Sequence, residues 1–230
     1  MGSLPLLQWT CETGNKAVVQ HLLATGEVDF NSKSSDGWTT LRWASASGHE
    51  AVVNLLDRGT AIDATTQGGW TPLHLASFSS REAVAKFLLD KGASISVETK
   101  DAALDATTKD SATPLHVASS YGHEAAAKLL LGKGAAIDIK TEGCWTPLHV
   151  ASRHGHEAVA KLLLDRAATI DVPTQDGATP LHLAFVNGHE VSVKLLLDRG
   201  AAIKGKYQDG VTPLHLASRR WQRRHYQHKG

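Results

Sequence analysis

The chain has 230 residues, 42% of them hydrophobic, and a formal net charge of +1, which suits an extended array or one to two compact domains and favours neither acidic nor basic partners. Its two cysteines, Cys11 and Cys144, stand far apart with no metal-ligand spacing, which excludes a disulfide scaffold and fits a reducing compartment. No apolar run approaches a membrane span, and the opening MGSLPLLQWTCETGN lacks the basic lead and apolar core of a signal peptide, so a cytoplasmic or nuclear protein is expected.

Self-similarity organises the chain from the start. Leu7–Val19 (LQWTCETGNKAVV) aligns with Leu41–Val53 (LRWASASGHEAVV), so the opening is a degenerate repeat. Helix starts led by threonine follow at Thr39, Thr71, Thr113, Thr146, Thr179 and Thr212, at intervals of 32, 42, 33, 33 and 33 residues. The copy at Thr39 reads TTLRWAS, with Thr40 for the usual proline and Arg42 for the usual histidine, which predicts a less rigid helix start. The long interval adds nine residues around SVETKDAAL (Ser96–Leu104), read as a longer finger or loop because surface insertions cost little.

The clearest copy is TPLHVASRHGHEAVAKLLL, from Thr146 to Leu164. Thr146 is a good N-cap, Pro147 suits the first helical position, and Leu148, Val150 and Ala151 supply an apolar inner face. Gly155 can take the left-handed conformation that ends the helix. A second helix follows, with Glu157 near its positive end and Val159, Leu162 and Leu163 at helical spacing. Such a pair cannot bury its apolar face alone and must stack on neighbours. Ala167 stands where Gly59, Gly92, Gly134 and Gly200 stand in sister copies, and a positive φ there would cost alanine about 1 kcal/mol. The copy at Thr212 loses its second-helix pattern and runs into RRWQRRHYQHKG, a tail of +5 against −4 for the rest of the chain.

A period of 33 with a TPLHxA start and a GHE turn resembles the ankyrin repeat over nearly the whole chain. The resemblance implies an all-α solenoid of stacked helix-turn-helix units with short hairpin-like fingers, the fingers and first helices lining a concave side. On this reading residues 1–218 are the array: a degenerate repeat at 4–30, repeats at 31–63, 64–96, 105–138, 139–171 and 172–204, and a truncated one at 205–218. The insertion occupies 96–104 and the basic tail 219–230.

Thirteen histidines invite metal or acid–base chemistry. His74, His116, His149, His182 and His215 share the TPLH slot, and His49, His123, His156 and His189 the GHE slot; the resemblance implies structural roles for both sets. Neither a Cys/His cluster nor an HExxH spacing accompanies the others, so no metal and no cofactor are expected. Glu50, Glu82, Glu124, Glu157 and Glu190 recur in one register, which the helix dipole explains and catalysis does not.

What varies against this fixed framework is the residue before each TPLH-type threonine and two positions late in each first helix. Tryptophan, tyrosine and arginine are common hot-spot types, so Trp38, Trp70, Phe78, Tyr121, Trp145, Arg153 and His154 are the candidate partner contacts. Trp38 and Trp70 are expected on neighbouring fingers, while Trp9 and Trp43 align inside first helices and read as packing. The leading function is a non-catalytic module that binds another protein through the finger and first-helix face, as a monomer with no membrane attachment. One alternative is an enzyme or ligand-binding protein with a groove near Tyr121, Arg153 and His154, whose imidazole titrates near neutrality. The other is nucleic-acid binding by the tail, with Trp221 and Tyr226 stacking and the arginines on phosphates.

Overall fold

The computed structural model describes residues 3–26, 28–35, 37–56, 60–99, 111–205, 207, 210–215 and 218, and among them all regular structure is helical. The helices come in pairs: α1 (Ser3–Thr13) with α2 (Lys16–Thr25), α3 (Thr40–Ser47) with α4 (Glu50–Leu56), and α5 (Pro72–Phe78) with α6 (Glu82–Asp90). The series continues with α7 (Pro114–Ser120) and α8 (Glu124–Gly132), α9 (Pro147–His154) and α10 (Glu157–Asp165), and α11 (Pro180–Asn187) and α12 (Glu190–Asp198). The described residues cluster into two compact units. One draws on Met1–Ala103, Ser111–Val117 and Ala125–Ala135, the other on Ala118–Glu124 and Ala136–Gly230. In the first unit α1 packs on α3 and α3 on α5, while α2 packs on α4 and α4 on α6. In the second, α9 packs on α11 and α10 on α12. First helices therefore touch first helices, and second helices touch second helices.

Local chemistry sets each pair. Thr146 caps α9, its hydroxyl accepting from the His149 N–H at 3.4 Å, and Pro147 fills the first turn. Gly155 ends α9 at φ 74°, the left-handed turn that glycine adopts without a Cβ penalty. Leu148, Ala151, Val159, Ala160 and Leu163 are fully buried, and so is the leucine in the Leu163 slot of its sisters, Leu88, Leu130 and Leu196. Each buried leucine contributes roughly 1.5–3 kcal/mol relative to exposure. Glu50, Glu82, Glu124, Glu157 and Glu190 each open a second helix, at its positive end.

Between helix pairs lie short hairpin-like fingers, most closed by a threonine, the first by Ser34 with Trp38 and the last described by Tyr207 with Val211. Thr66 N–H donates to the Trp70 carbonyl at 3.0 Å and Trp70 N–H to Thr66 Oγ1 at 3.1 Å; Thr141 with Trp145 and Thr174 with Ala178 repeat the pattern. Thr99 takes this role opposite Ala112. Ser96–Thr99 thus follow the ordinary finger path, and the residues beyond the regular period fall between Thr99 and Ser111, outside the described residues. Asp63, Asp138 and Asp171 tie neighbouring connectors together by accepting from the N–H of Ser94, Thr169 and Ala202, each at 3.0 Å. Asn31 does the same for Ala61 at 2.9 Å.

Two departures cost stability. Ala167 sits at φ 63°, where Gly92, Gly134 and Gly200 sit at 87°, 92° and 89°. Arg42 is completely buried, and burial lowers its guanidinium pKa to about 10. Its Nε donates to the Ala64 carbonyl at 3.0 Å and Nη1 to that of Gly37. Nη2 and the Thr39 hydroxyl are both buried without a partner. In sister copies a histidine ring bonds the capping threonine; arginine reaches past it.

Ala167→Gly should stabilise the protein by about 0.5–1 kcal/mol, the left-handed penalty less the extra unfolded-state freedom of glycine. Arg42→His should restore the cap and remove a buried unpaired donor, a gain of about 1–3 kcal/mol. Urea midpoints of the two variants against wild type check both; a lowered midpoint for Arg42→His would show that the guanidinium bridge outweighs its orphaned atoms.

Candidate functional site

The histidines resolve first, because the structure gives most of them other work. His74, fully buried, accepts at Nδ1 from the Thr71 N–H at 3.2 Å while Nε2 meets the Ala112 carbonyl at 3.0 Å. His149 bridges Thr146 to Ala178, and His182 bridges Thr179 to Gly205, in the same way. These contacts fix the neutral ring with its proton on Nε2. Burial pushes the His74 pKa down to about 4 and lowers that of His182. In the GHE slot, His49, His156 and His189 meet the carbonyls of Glu12, Ser120 and Arg153 at 2.8, 2.7 and 2.8 Å, back in the preceding repeat. Arg81 takes the corresponding position for the third repeat, with Nε donating to the Ala46 carbonyl at 3.3 Å. Among the described residues no group of three or more His, Cys, Asp or Glu side chains is placed to hold a metal ion.

The candidate contact residues divide between the two units. In the first, Trp38 is half-buried and stacks on Trp43, ring centroids 4.4 Å apart and planes 30° from parallel. A narrow groove runs beside this stack, lined also by Leu7, Gln8, Ser32, Ser34 and Thr40. Trp70, half-buried on the next finger, meets Phe78 edge to face at 6.0 Å and the His74 ring at 5.8 Å. Phe78 stays 39% exposed. Each of these tryptophans thus makes its aromatic contact inside its own repeat. Trp43 was read from the sequence as packing, and its stacking agrees. Trp9, in the same slot, is 52% exposed, so the packing expected for it is not seen.

In the second unit Trp145 and Arg153 form one group, the guanidinium 5.5 Å from the indole centroid. That cation–π contact holds a long side chain in one place. Tyr121, 38% exposed, stacks on His123 at 6.2 Å, and His154 stacks on His156 at 6.0 Å. His156 is itself pinned to the Ser120 carbonyl, so the ring beneath His154 is a fixed platform. These are stacked, partly exposed rings, Tyr121 just past α7 and His154 at the end of α9. Residues 100–110 and 219–230, on which the groove-enzyme and tail readings partly rest, lie outside the described residues.

Cys144 escaped notice as more than an incidental thiol. It has φ 60° at the fingertip position where Gly37, Gly69 and Gly177 stand, as Ser111 has φ 75° before Ala112. Comparison of the finger sequences, DGW and GGW against GCW, carries that signal.

Comparison with known proteins agrees with this architecture. The family model described as "Ankyrin repeats" matches in three copies, over residues 7–101, 98–176 and 168–227. Among solved structures the chain is similar to the human ASB11 ankyrin repeat domain, at 30% identity and a TM-score of 0.81, covering 92% of this chain and 90% of that one.

Acid should weaken the imidazole bridges. His74 is neutral when folded and titrates near the usual 6.5 when unfolded, so its contribution is complete above about pH 6.5 and is lost as pH falls towards about 4. The loss from His74 alone is roughly 3 kcal/mol. Urea midpoints measured from pH 7 down to about 4 should fall steadily, and His74→Gln should flatten the profile.

Proposed function

The chain belongs to the ankyrin-repeat family, whose repeats are generally protein–protein interaction modules, and on that premise we propose that it binds another protein without catalysis. The contacts are Trp38, Trp70 and Phe78 in one unit and Tyr121, Trp145, Arg153 and His154 in the other. The observation that carries this reading is the exposure of Phe78 and Tyr121, at 39% and 38%, beside framework positions of the same helices that are almost wholly buried. Internal packing does not require an aromatic ring at those places: Phe78 stands in the slot that holds Ala46 and Val186 elsewhere, and Tyr121 in that of Ser47 and Asn187.

Binding energy follows from rigidity. Phe78 is braced by Trp70, Arg153 by Trp145 and His154 by His156. Side chains already held in place lose little entropy on association, which otherwise costs about 0.5–1.5 kcal/mol for each immobilised side chain. The two free thiols, Cys11 and Cys144, support work in a reducing setting, cytoplasmic or nuclear. No described helix is long and apolar enough to cross a membrane.

The test is a quantitative pull-down from the native cell with wild type and with the Trp70→Ala, Tyr121→Ala and Arg153→Ala variants, each shown by circular dichroism to be folded. A protein retained by wild type should be lost by at least one variant, with about 2 kcal/mol or more of binding energy removed at a hot spot. If all three variants stay within about 0.5 kcal/mol of wild type, this face is not the binding surface.

A further inference from the structure

The bonds that cross from one repeat to the next recur in three slots, and between the second and third repeats all three are filled differently. In the first slot an imidazole completes a helix cap and reaches forward, His74 to Ala112 and His149 to Ala178. The second repeat has Arg42 there. Its guanidinium bonds the carbonyls of Ala64 and Gly37, so a positive charge is buried against carbonyl oxygens. Thr39 makes no side-chain bond to cap α3, and Thr40 stands where α5 and α9 begin with proline.

In the second slot an imidazole reaches back, His156 to Ser120 at 2.7 Å and His189 to Arg153 at 2.8 Å. The third repeat has Arg81 there, exposed and 3.3 Å from the Ala46 carbonyl. The third slot is the connector tie. Asp63, Asp138 and Asp171 each bring both carboxylate oxygens to one amide, at 3.0 and 3.2 Å. Asn31 offers the Ala61 amide a neutral oxygen instead, at 2.9 Å.

Each replacement weakens its bond for its own reason. Burying a charge costs free energy that carbonyl dipoles offset only in part. An exposed arginine shares its donors with water and has more side-chain freedom to lose than a histidine. An amide oxygen accepts less strongly than a carboxylate. Stability in such an array is a sum of repeat terms and nearest-neighbour terms, so three weakened bonds at one interface fall on the same neighbour term.

We propose that this junction is a joint built into the fold, at which α3 and α4 part from α5 and α6 in a transient open state reached well short of global unfolding. Short helices that lose a neighbour do not hold their shape, so the opening is read in the exchange of their amides. Trp38 and Trp70 lie on the fingers that lead into α3 and α5, and opening changes their spacing. The joint itself does not depend on either tryptophan binding a partner.

Native-state hydrogen exchange of the full chain, followed by mass spectrometry, tests it. In wild type the amides of α3 and α4 should be about tenfold or more less protected than those of α9 and α10. Arg42→His, Arg81→His and Asn31→Asp each restore the residue of the sister copies. The triple variant should gain about tenfold or more in α3 and α4 while α9 and α10 stay within about twofold. Thiol labelling gives a second reading in which all three native residues remain. Ser45→Cys in α3 and Ser152→Cys in α9 replace serines that are 0% exposed, in the slot that holds Cys11 in α1. Ser45→Cys should react about tenfold faster, with the label located by peptide mass. Equal protection of the two helix pairs in wild type, or equal labelling rates, overturns the proposal. So does a triple variant whose gain is shared by every helix, or one that leaves α3 and α4 unchanged.

Discussion

Everything in this protein depends on the repeat being unable to finish itself. A pair of helices of seven to eleven residues is too short to hold its shape in water. Its leucines are hidden only when another pair lies against it. The polar groups obey the same rule. The Thr71–His74 cap is completed by the carbonyl of Ala112, and the connector at Asp63 by the amide of Ser94. Apolar packing supplies most of the free energy, while these bonds fix the register at which one pair meets the next. Stability in such a chain resides at junctions, and each junction has its own chemistry.

The junction between the second and third repeats shows how far that chemistry can vary. Where the repeat of Thr146 meets the next, imidazoles cross the boundary in both directions, His149 to Ala178 and His189 to Arg153. At the earlier junction Arg42 reaches forward to Ala64 and Arg81 reaches back to Ala46. Both substitutions keep a donor aimed at the same type of carbonyl, so the geometry survives. At Arg42 titration changes too: burial lowers the guanidinium pKa to about 10, against about 4 for the buried His74 imidazole in the same slot. The same exchange leaves the Thr39 hydroxyl orphaned, because only the imidazole has an acceptor nitrogen to offer its cap.

The framework was legible in the sequence because it is written many times. Thr146, Pro147, Gly155 and Glu157 each carry a local reason for their place, and repetition removed the ambiguity a single copy would leave. The positive φ of Ala167 followed from its sisters alone. The asparagine and aspartate ties went unread, although AID recurs, because their partners lie about thirty residues away and a carboxylate on a turn has several local explanations. Trp9 was misread for a related reason. Alignment with Trp43 reports the slot, while burial depends on which side chains surround it. Candidate contacts were legible only as variation against a constant background, which identifies positions and says nothing of how Trp145 braces Arg153 or Trp70 braces Phe78.

The glycines that end the first helices have a consequence for how such a chain can change over generations. A Cβ on Gly14 or Gly122 would lie 2.5 Å from Nδ1 of His49 or His156, and Gly155 stands in the same relation to His189. The glycine belongs to one repeat and the imidazole to the next, so neither is free to drift alone. Recombination between near-identical copies keeps these halves matched only when it exchanges whole periods in register. Gly48 faces Arg81 instead, its would-be Cβ also 2.5 Å from the arginine Cδ. Duplication, deletion and shuffling of whole units are therefore compatible with this architecture, because each exchanges both halves of the pair together.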